Sequence, residues 1–366
     1  PPERYEINPK HNHTNDMKKT LSCSFIFYFN LFICLAGLAS CAAQPEKAGR
    51  EPVKVIFDND MGNDIDDALA IDMLYKYADA GIIDLIGITS NKVEPASVEY
   101  IDILNNFYGY PDIPVGRLTG VEQYDRPNSY ALQTAADPSY KRSIGNYDSL
   151  PESVDLLRRL LAAQQDSSVV IIATGFSTNL ARLMDSKADA SSELDGMELI
   201  RRKVKHLHMM AGDFRQENPI QEHNVVFDIP AAQHVYDSWP TPITTSPFDV
   251  GEKILYPVES ILNDFGFADK HPVVEAYKVY KKMPYSRPTW DLTSVLYAIE
   301  PDSGYFEVVG PGRVHVDGKS ITTFTPEAGG PHFYLAADSL QRERIRNRFV
   351  EIITREPAAL SRETER

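Results

Sequence analysis

Cysteine is nearly absent from this chain, with three residues in 366, at positions 23, 34 and 41. Cys23 and Cys34 fall inside one apolar stretch near the N-terminus, so neither a disulfide framework nor a cysteine-rich metal centre organises the body of the protein. Positive charge is also scarce. The chain carries 37 Lys and Arg against 52 Asp and Glu, a net charge of −15, and residues 51–366 alone hold 31 basic and 48 acidic residues. A body of that balance repels phosphate backbones, and no basic patch stands out, which excludes a nucleic-acid polymer as the partner. No apolar run reaches the ~20 residues that a membrane-spanning helix needs. Repeats and low-complexity tracts are missing as well. What remains is a chain that is 43% apolar, enough for one large α/β domain or two ordinary ones.

The N-terminus reads as a leader. Residues 1–16 ("PPERYEINPKHNHTND") show no hydrophobic period and are taken as an upstream non-native or untranslated segment. Met17, Lys18 and Lys19 open a positive n-region, an apolar run follows from Phe25 to Leu38, and it closes on Leu38-Ala39-Ser40-Cys41. Residues 17–40 therefore have the pattern of a signal peptide. The closing tetrapeptide resembles a bacterial lipobox, which implies lipidation at Cys41 and export to a bacterial membrane, facing the periplasm or the cell surface. Residues 41–52 form a polar tether. The expected domain then spans 53–356, with a frayed tail over 357–366.

Within that domain, strand-like and helix-like segments alternate. "VKVIF" (53–57) precedes a helix from Asp66 to Ala80, and "LIGIT" (85–89) precedes one from Pro95 to Tyr108. "SVVIIAT" (168–174), "KHLHMMA" (205–211) and "TPITT" (241–245) continue the series, with a helix over 228–237 before the last. Near-continuous apolar strands alternating with helices predict an open, mainly parallel α/β sheet with helices on both faces. "YFEVV", "RVHVD" and "ITTFT" predict a small antiparallel addition, and 339–354 a closing amphipathic helix. Ligands in such sheets bind beyond the carboxyl ends of the strands.

The first such end is acidic. "VIFDNDMGNDIDDALAI" (55–71) sets Asp58, Asp60, Asp64, Asp66 and Asp67 around Gly62. Two unit charges about 4 Å apart cost roughly 4 kcal/mol at an effective dielectric near 20. A helix N-terminus returns only about 0.3–1 kcal/mol per charge. Converging carboxylates therefore call for protonation or, more completely, a divalent cation. All-oxygen donors favour calcium or magnesium over zinc.

"DNDMGNDIDDALAI" resembles the signature of the nucleoside hydrolases, D-x-D-P-G-x-D-D-A-x-A. Met61 stands in place of the proline and two extra residues precede the last aspartate pair, so Asp64 and Asp66 compete for one role. "GITSNKVEPASVEYIDILNNFYG", "IIATGFSTNLA", "MMAGDF", "ENPIQEHNVVFDIPAA" and "TWDLTSVLYAI" resemble later family blocks in the family's order. The resemblance implies a Rossmann-like nucleoside hydrolase fold. It also implies Ca2+-dependent cleavage of the N-glycosidic bond of a small ribonucleoside by water, giving free base and ribose, in a dimer or tetramer. Residue by residue, it implies Asp60 as catalytic base and metal ligand, with Asp67, the Thr174 carbonyl and Asp291 completing the shell. It implies Asp66, Asn91, Asn218, Glu222 and Asn224 on the ribose, and Asp58 as a structural partner. Trp290 stands where many members carry a histidine that protonates the leaving base. It can stack on a heterocycle but cannot protonate it, which implies a preference for purines.

Tyr285 and Arg287, in a Pro-flanked segment, are candidates for a second donor. His206 and His208 alternate on one strand and read as packed histidines, because no third ligand lies at metal spacing. Two other readings compete. A haloacid dehalogenase-like phosphatase would use Asp58 as nucleophile, whereas a non-catalytic nucleoside- or ribose-binding lipoprotein would hold its ligand intact.

Overall fold

The computed structural model describes residues 51–121 and 129–364. The leader, the lipobox and most of the tether, Cys41 included, lie outside the described residues. Among those described, no helix is long and apolar enough to cross a membrane.

The strands in chain order are β1 (Val53–Asn59), β2 (Ile83–Ser90), β3 (Val115–Gly116), β4 (Val169–Ala173), β5 (Val204–Met210), β6 (Ile243–Ser246), β7 (Leu255–Tyr256), β8 (Arg287–Pro288), β9 (Glu307–Val316), β10 (Thr322–Pro326) and β11 (His332–Ala336). Nine of them make one sheet in the order β10-β9-β11-β6-β5-β4-β1-β2-β3, while β7 and β8 pair separately. From β11 to β3 every neighbouring pair is parallel, and β9 and β10 are added antiparallel. This is the mainly parallel sheet with a C-terminal antiparallel addition that the alternation predicts.

The central strands β1 and β4 carry apolar residues at consecutive positions because each face of the sheet has its own core. Along β1, Val55 and Phe57 enter one cluster and Ile56 the other; along β4, Val170 and Ile172 face the first and Val169, Ile171 and Ala173 the second. That is the two-residue period of extended chain, with both faces covered. Each large apolar side chain so buried contributes roughly 1.5–3 kcal/mol.

The order of the strands positions the site. From β1 the chain builds outward through β2 to β3, then returns to β4 on the other flank of β1 and builds through β5 to β6. The crevice between the carboxyl ends of β1 and β4 is therefore a topological switch point. Register brings the ends together, with Asp58 opposite Ala173 on one side and Thr89 on the other.

Two elements depart from the sequence reading. β11, parallel to β6 and antiparallel to β9, has no clear alternation in "HFYLA" and takes its strand character from its two neighbours. Residues 358–364, read as a frayed tail, form the helix Ala358–Thr364. The backbone N–H of Ala358 donates to Asp79, 2.9 Å away and 279 residues earlier, a tie that no local pattern encodes.

Candidate active site

Four carboxylates meet at the switch point. Asp60 follows the end of β1. Asp66 and Asp67 occupy the first turn of the helix Asp66–Asp79, and Asp291 the first turn of the helix Trp290–Ile299. All four are buried, and all line one cavity of about 180 Å³ together with Asn63, Asp64, Thr174, Met210, Glu222, His223, Asn224, Phe248 and Trp290. Burial is the main reason that each of the four carboxyl groups is held above the ordinary aspartate range; for Asp67 and Asp291 the charges of their neighbours push in the same direction. Asp66 accepts the backbone N–H of Asp291 at 3.1 Å, which ties the two helix starts together.

The surrounding shell is polar and tightly bonded. Asn63 Nδ2 donates to Asp60 Oδ2. Thr174 follows β4, its hydroxyl 3.5 Å from Asp67 Oδ1 and its carbonyl accepting Asn224 Nδ2 at 2.9 Å. Glu222 caps the helix His223–Phe227 by accepting the N–H groups of Asn224 and Val225, and it also accepts Gly212 N–H at 3.0 Å. Burial pushes the Glu222 carboxyl up to about 7. Gly175 is required by close approach, since a Cβ there would stand 2.5 Å from Asn91 Oδ1 and 2.8 Å from Asp60 Cβ.

One wall is aromatic. The Trp290 and Phe248 rings are 5.3 Å apart at 27°, and Trp290 Nε1 donates to the Phe248 carbonyl at 2.9 Å. The guanidinium of Arg287 lies 5.2 Å from the indole centroid and is held there by two bonds to the Asp64 carboxylate.

The sequence of residues 55–347 matches the family described as inosine-uridine preferring nucleoside hydrolase. The chain belongs to this family. Solved structures agree in fold. A plant nucleoside hydrolase is 21% identical, with a TM-score of 0.65, over 83% of this chain and 100% of its own. A purine-preferring ribonucleoside hydrolase from Gardnerella vaginalis is 19% identical, with a TM-score of 0.63, over 82% and 98%. An inosine-uridine preferring nucleoside hydrolase from Bacillus anthracis is 18% identical, with a TM-score of 0.61, over 82% and 99%. No curated protein matches in a sequence search. The protein is thus a nucleoside hydrolase, an N-glycosyl hydrolase of a metal-dependent family.

A cation fits the residues of this nucleoside hydrolase. Asp67 Oδ2 is buried with no hydrogen-bond partner, in a ring of carboxylates that repel one another, and that is the donor set a hard divalent ion relieves. Among the described residues no three acidic or histidine side chains already form a metal cluster.

The structure brings Asp60, Asp66, Asp67, Thr174, Glu222, Asn224, Trp290 and Asp291 to the cavity and leaves Asn91 and Asn218 outside its lining. Asn91 Nδ2 is drawn to Asp58 Oδ2 at 3.0 Å and to the Phe176 carbonyl at 3.1 Å. Asn218 is exposed on the loop after β5, with φ 52°. Asp58 accepts Thr89, Asn91 and Asn179 and does not line the cavity, so it is no nucleophile and the dehalogenase reading fails. Asp64 and Asp66 both line the cavity but have different partners, Asp64 bonding to Arg287 and Asp66 to the backbone of Asp291. The Tyr285 hydroxyl donates to the Tyr277 carbonyl. His206 and His208 stack on each other at 4.4 Å in a separate cavity.

Sequence reasoning missed Asn63, Met210, His223 and Phe248. Met210 ends β5, and Phe248 lies two residues past the end of β6, so the strand-end rule could have found both. His223 is the unassigned middle residue of "EHN".

Proposed function

We propose that the protein is a calcium-dependent, purine-preferring ribonucleoside hydrolase. The observation that carries the reading is the partnerless Asp67 oxygen among four buried carboxylates at a sheet switch point. Asp60, Asp67, Asp291 and the Thr174 carbonyl would hold the ion, which when bound supplies positive charge to acidify a water and grip a ribose diol. Asp60 takes the proton of the attacking water. Asp66, Glu222 and Asn224 receive the sugar hydroxyls, for which carboxylates and an amide supply acceptors and donors. The Trp290–Phe248 wall favours the larger flat surface of a purine over a pyrimidine. The same reading has the protein exported and anchored through a lipid on Cys41.

A nucleoside panel tests the proposal. In calcium, inosine and guanosine should release free base at least tenfold faster than uridine, and a chelator should abolish release. The D60N variant should lose about 10²–10⁴ in turnover while keeping its melting profile. Equal turnover of uridine would remove the role given to the aromatic wall, and full activity after exhaustive chelation would remove the ion.

A further inference from the structure

The helix Trp290–Ile299 offers no proton donor to a leaving base, because tryptophan stands before Asp291. Yet the cavity contains an imidazole from another element. His223 lines it at the first position of the helix His223–Phe227, between two residues, Glu222 and Asn224, whose side chains are buried. Its own side chain stays exposed, so it faces both the cavity and the water from which it can be reprotonated.

The ring is held, not loose. Phe176 and Phe227 stack at 3.7 Å and 4°, and both meet the imidazole edge-on, with centroids at 5.9 and 6.0 Å. Nε2 lies 3.5 Å from Asn63 Nδ2, the amide that also donates to Asp60. Asn63 thereby ties the orientation of the imidazole to the carboxylate proposed as base.

Other donors are accounted for. Tyr285 gives its hydroxyl proton to a backbone carbonyl, and burial pushes its pKa up. Arg287 is paired with Asp64, and a guanidinium does not give up its proton. His206 and His208 belong to another cavity. Among the described residues, His223 is the only imidazole lining the acidic cavity.

We propose that His223 is the catalytic acid that protonates the departing purine, a role that rests on the nucleoside hydrolase reading of this cavity. As the C1′–N9 bond breaks, its electron pair passes to the base and the protonated imidazole gives one proton to the purine N7, leaving a neutral ring. The water oxygen bonds to C1′ after its proton has passed to Asp60. Ribose and neutral base leave, and Asp60 and His223 regain their starting states by exchange with solvent. The acid thus comes from the block that also grips the sugar, not from the helix that carries Asp291.

Two substrates separate this role from a structural one. Inosine needs its leaving group protonated; 4-nitrophenyl β-D-ribofuranoside releases a stable phenolate that does not. H223A and H223Q should lose about 10²–10³ in kcat on inosine, with KM within about threefold of wild type, and keep aryl riboside cleavage within about threefold. H223Q retains an amide beside Asn63 but carries no transferable proton, so it should be no better than H223A. Inosine turnover within fivefold of wild type in H223A, or equal losses on both substrates, overturns the proposal. A wild-type protein that cleaves neither substrate in calcium fails at the earlier step, and the role of His223 falls with it.

Discussion

Replacing Asp67 by Asn should stabilise the protein in a chelator and destabilise it, relative to wild type, in calcium. Asp67 is fully buried, faces the charges of Asp60 and Asp66, and keeps one oxygen without a partner. Two full charges about 4 Å apart at an effective dielectric near 20 repel by roughly 4 kcal/mol. Partial protonation, favoured by the burial and mutual repulsion that raise these carboxyl groups, removes part of that, leaving a gain of about 1–3 kcal/mol for the neutral amide. For a domain of this size about 1 kcal/mol moves the melting temperature by roughly 2–4 °C. Calcium at a hundred times its dissociation constant would add about 2.7 kcal/mol to the wild type, whereas the variant has lost a proposed carboxylate ligand. The order of melting temperatures should therefore invert between EDTA and millimolar calcium, read by differential scanning calorimetry with magnesium as a comparison. If D67N melts below wild type in EDTA, and wild type does not respond to either ion, the electrostatic account of the site is wrong.

Gly175→Ala should displace Asp60 and Asn91, whose atoms occupy the space its Cβ needs; we expect about 1–3 kcal/mol of destabilisation and a fall in kcat of tenfold or more, measured by urea unfolding and base release. The stacked pair on β5 predicts a pH effect on stability. Burial lowers the His206 pKa from 6.5 to about 4, so the unfolded chain takes up this proton first. The stability tied to the neutral ring is complete above pH 6.5 and is lost as pH falls towards 4. By pH 5 the loss should be about 2 kcal/mol, and H206N, which keeps a polar group near Thr244 Oγ1 at 2.8 Å, should show a flatter profile between pH 7.5 and 5. Parallel profiles would refute it.

What could be read without coordinates were the features set by spacing along the chain. The near-continuous apolar runs at 53–57 and 168–174 required strands covered on both faces. The aspartates after β1 required a turn where charge must be neutralised, and "DDALAI" required a helix start with two acids in its first turn. These follow from backbone geometry and the periods of strand and helix, which are local properties. From them came the sheet, its acidic edge and the cluster around Asp60.

Partners were decided elsewhere. Asp64 and Asp66 are two residues apart and chemically identical, yet one bonds to Arg287 and the other to the Asp291 backbone, partners that lie 223 and 225 residues further along the chain. Asn91 was read as a sugar ligand, but its amide is taken by Asp58 across the β1–β2 pair. Trp290 is expected to stack on a heterocycle, and the structure sets Phe248 and the guanidinium of Arg287 against its ring. His223 carried no signal because a single residue between two assigned ones has no period. The sequence alone determined which chemistry is available at the edge of the sheet. Only the tertiary structure decided which side chains spend their hydrogen bonds on one another and which remain turned to the cavity, since that depends on contacts between segments hundreds of residues apart.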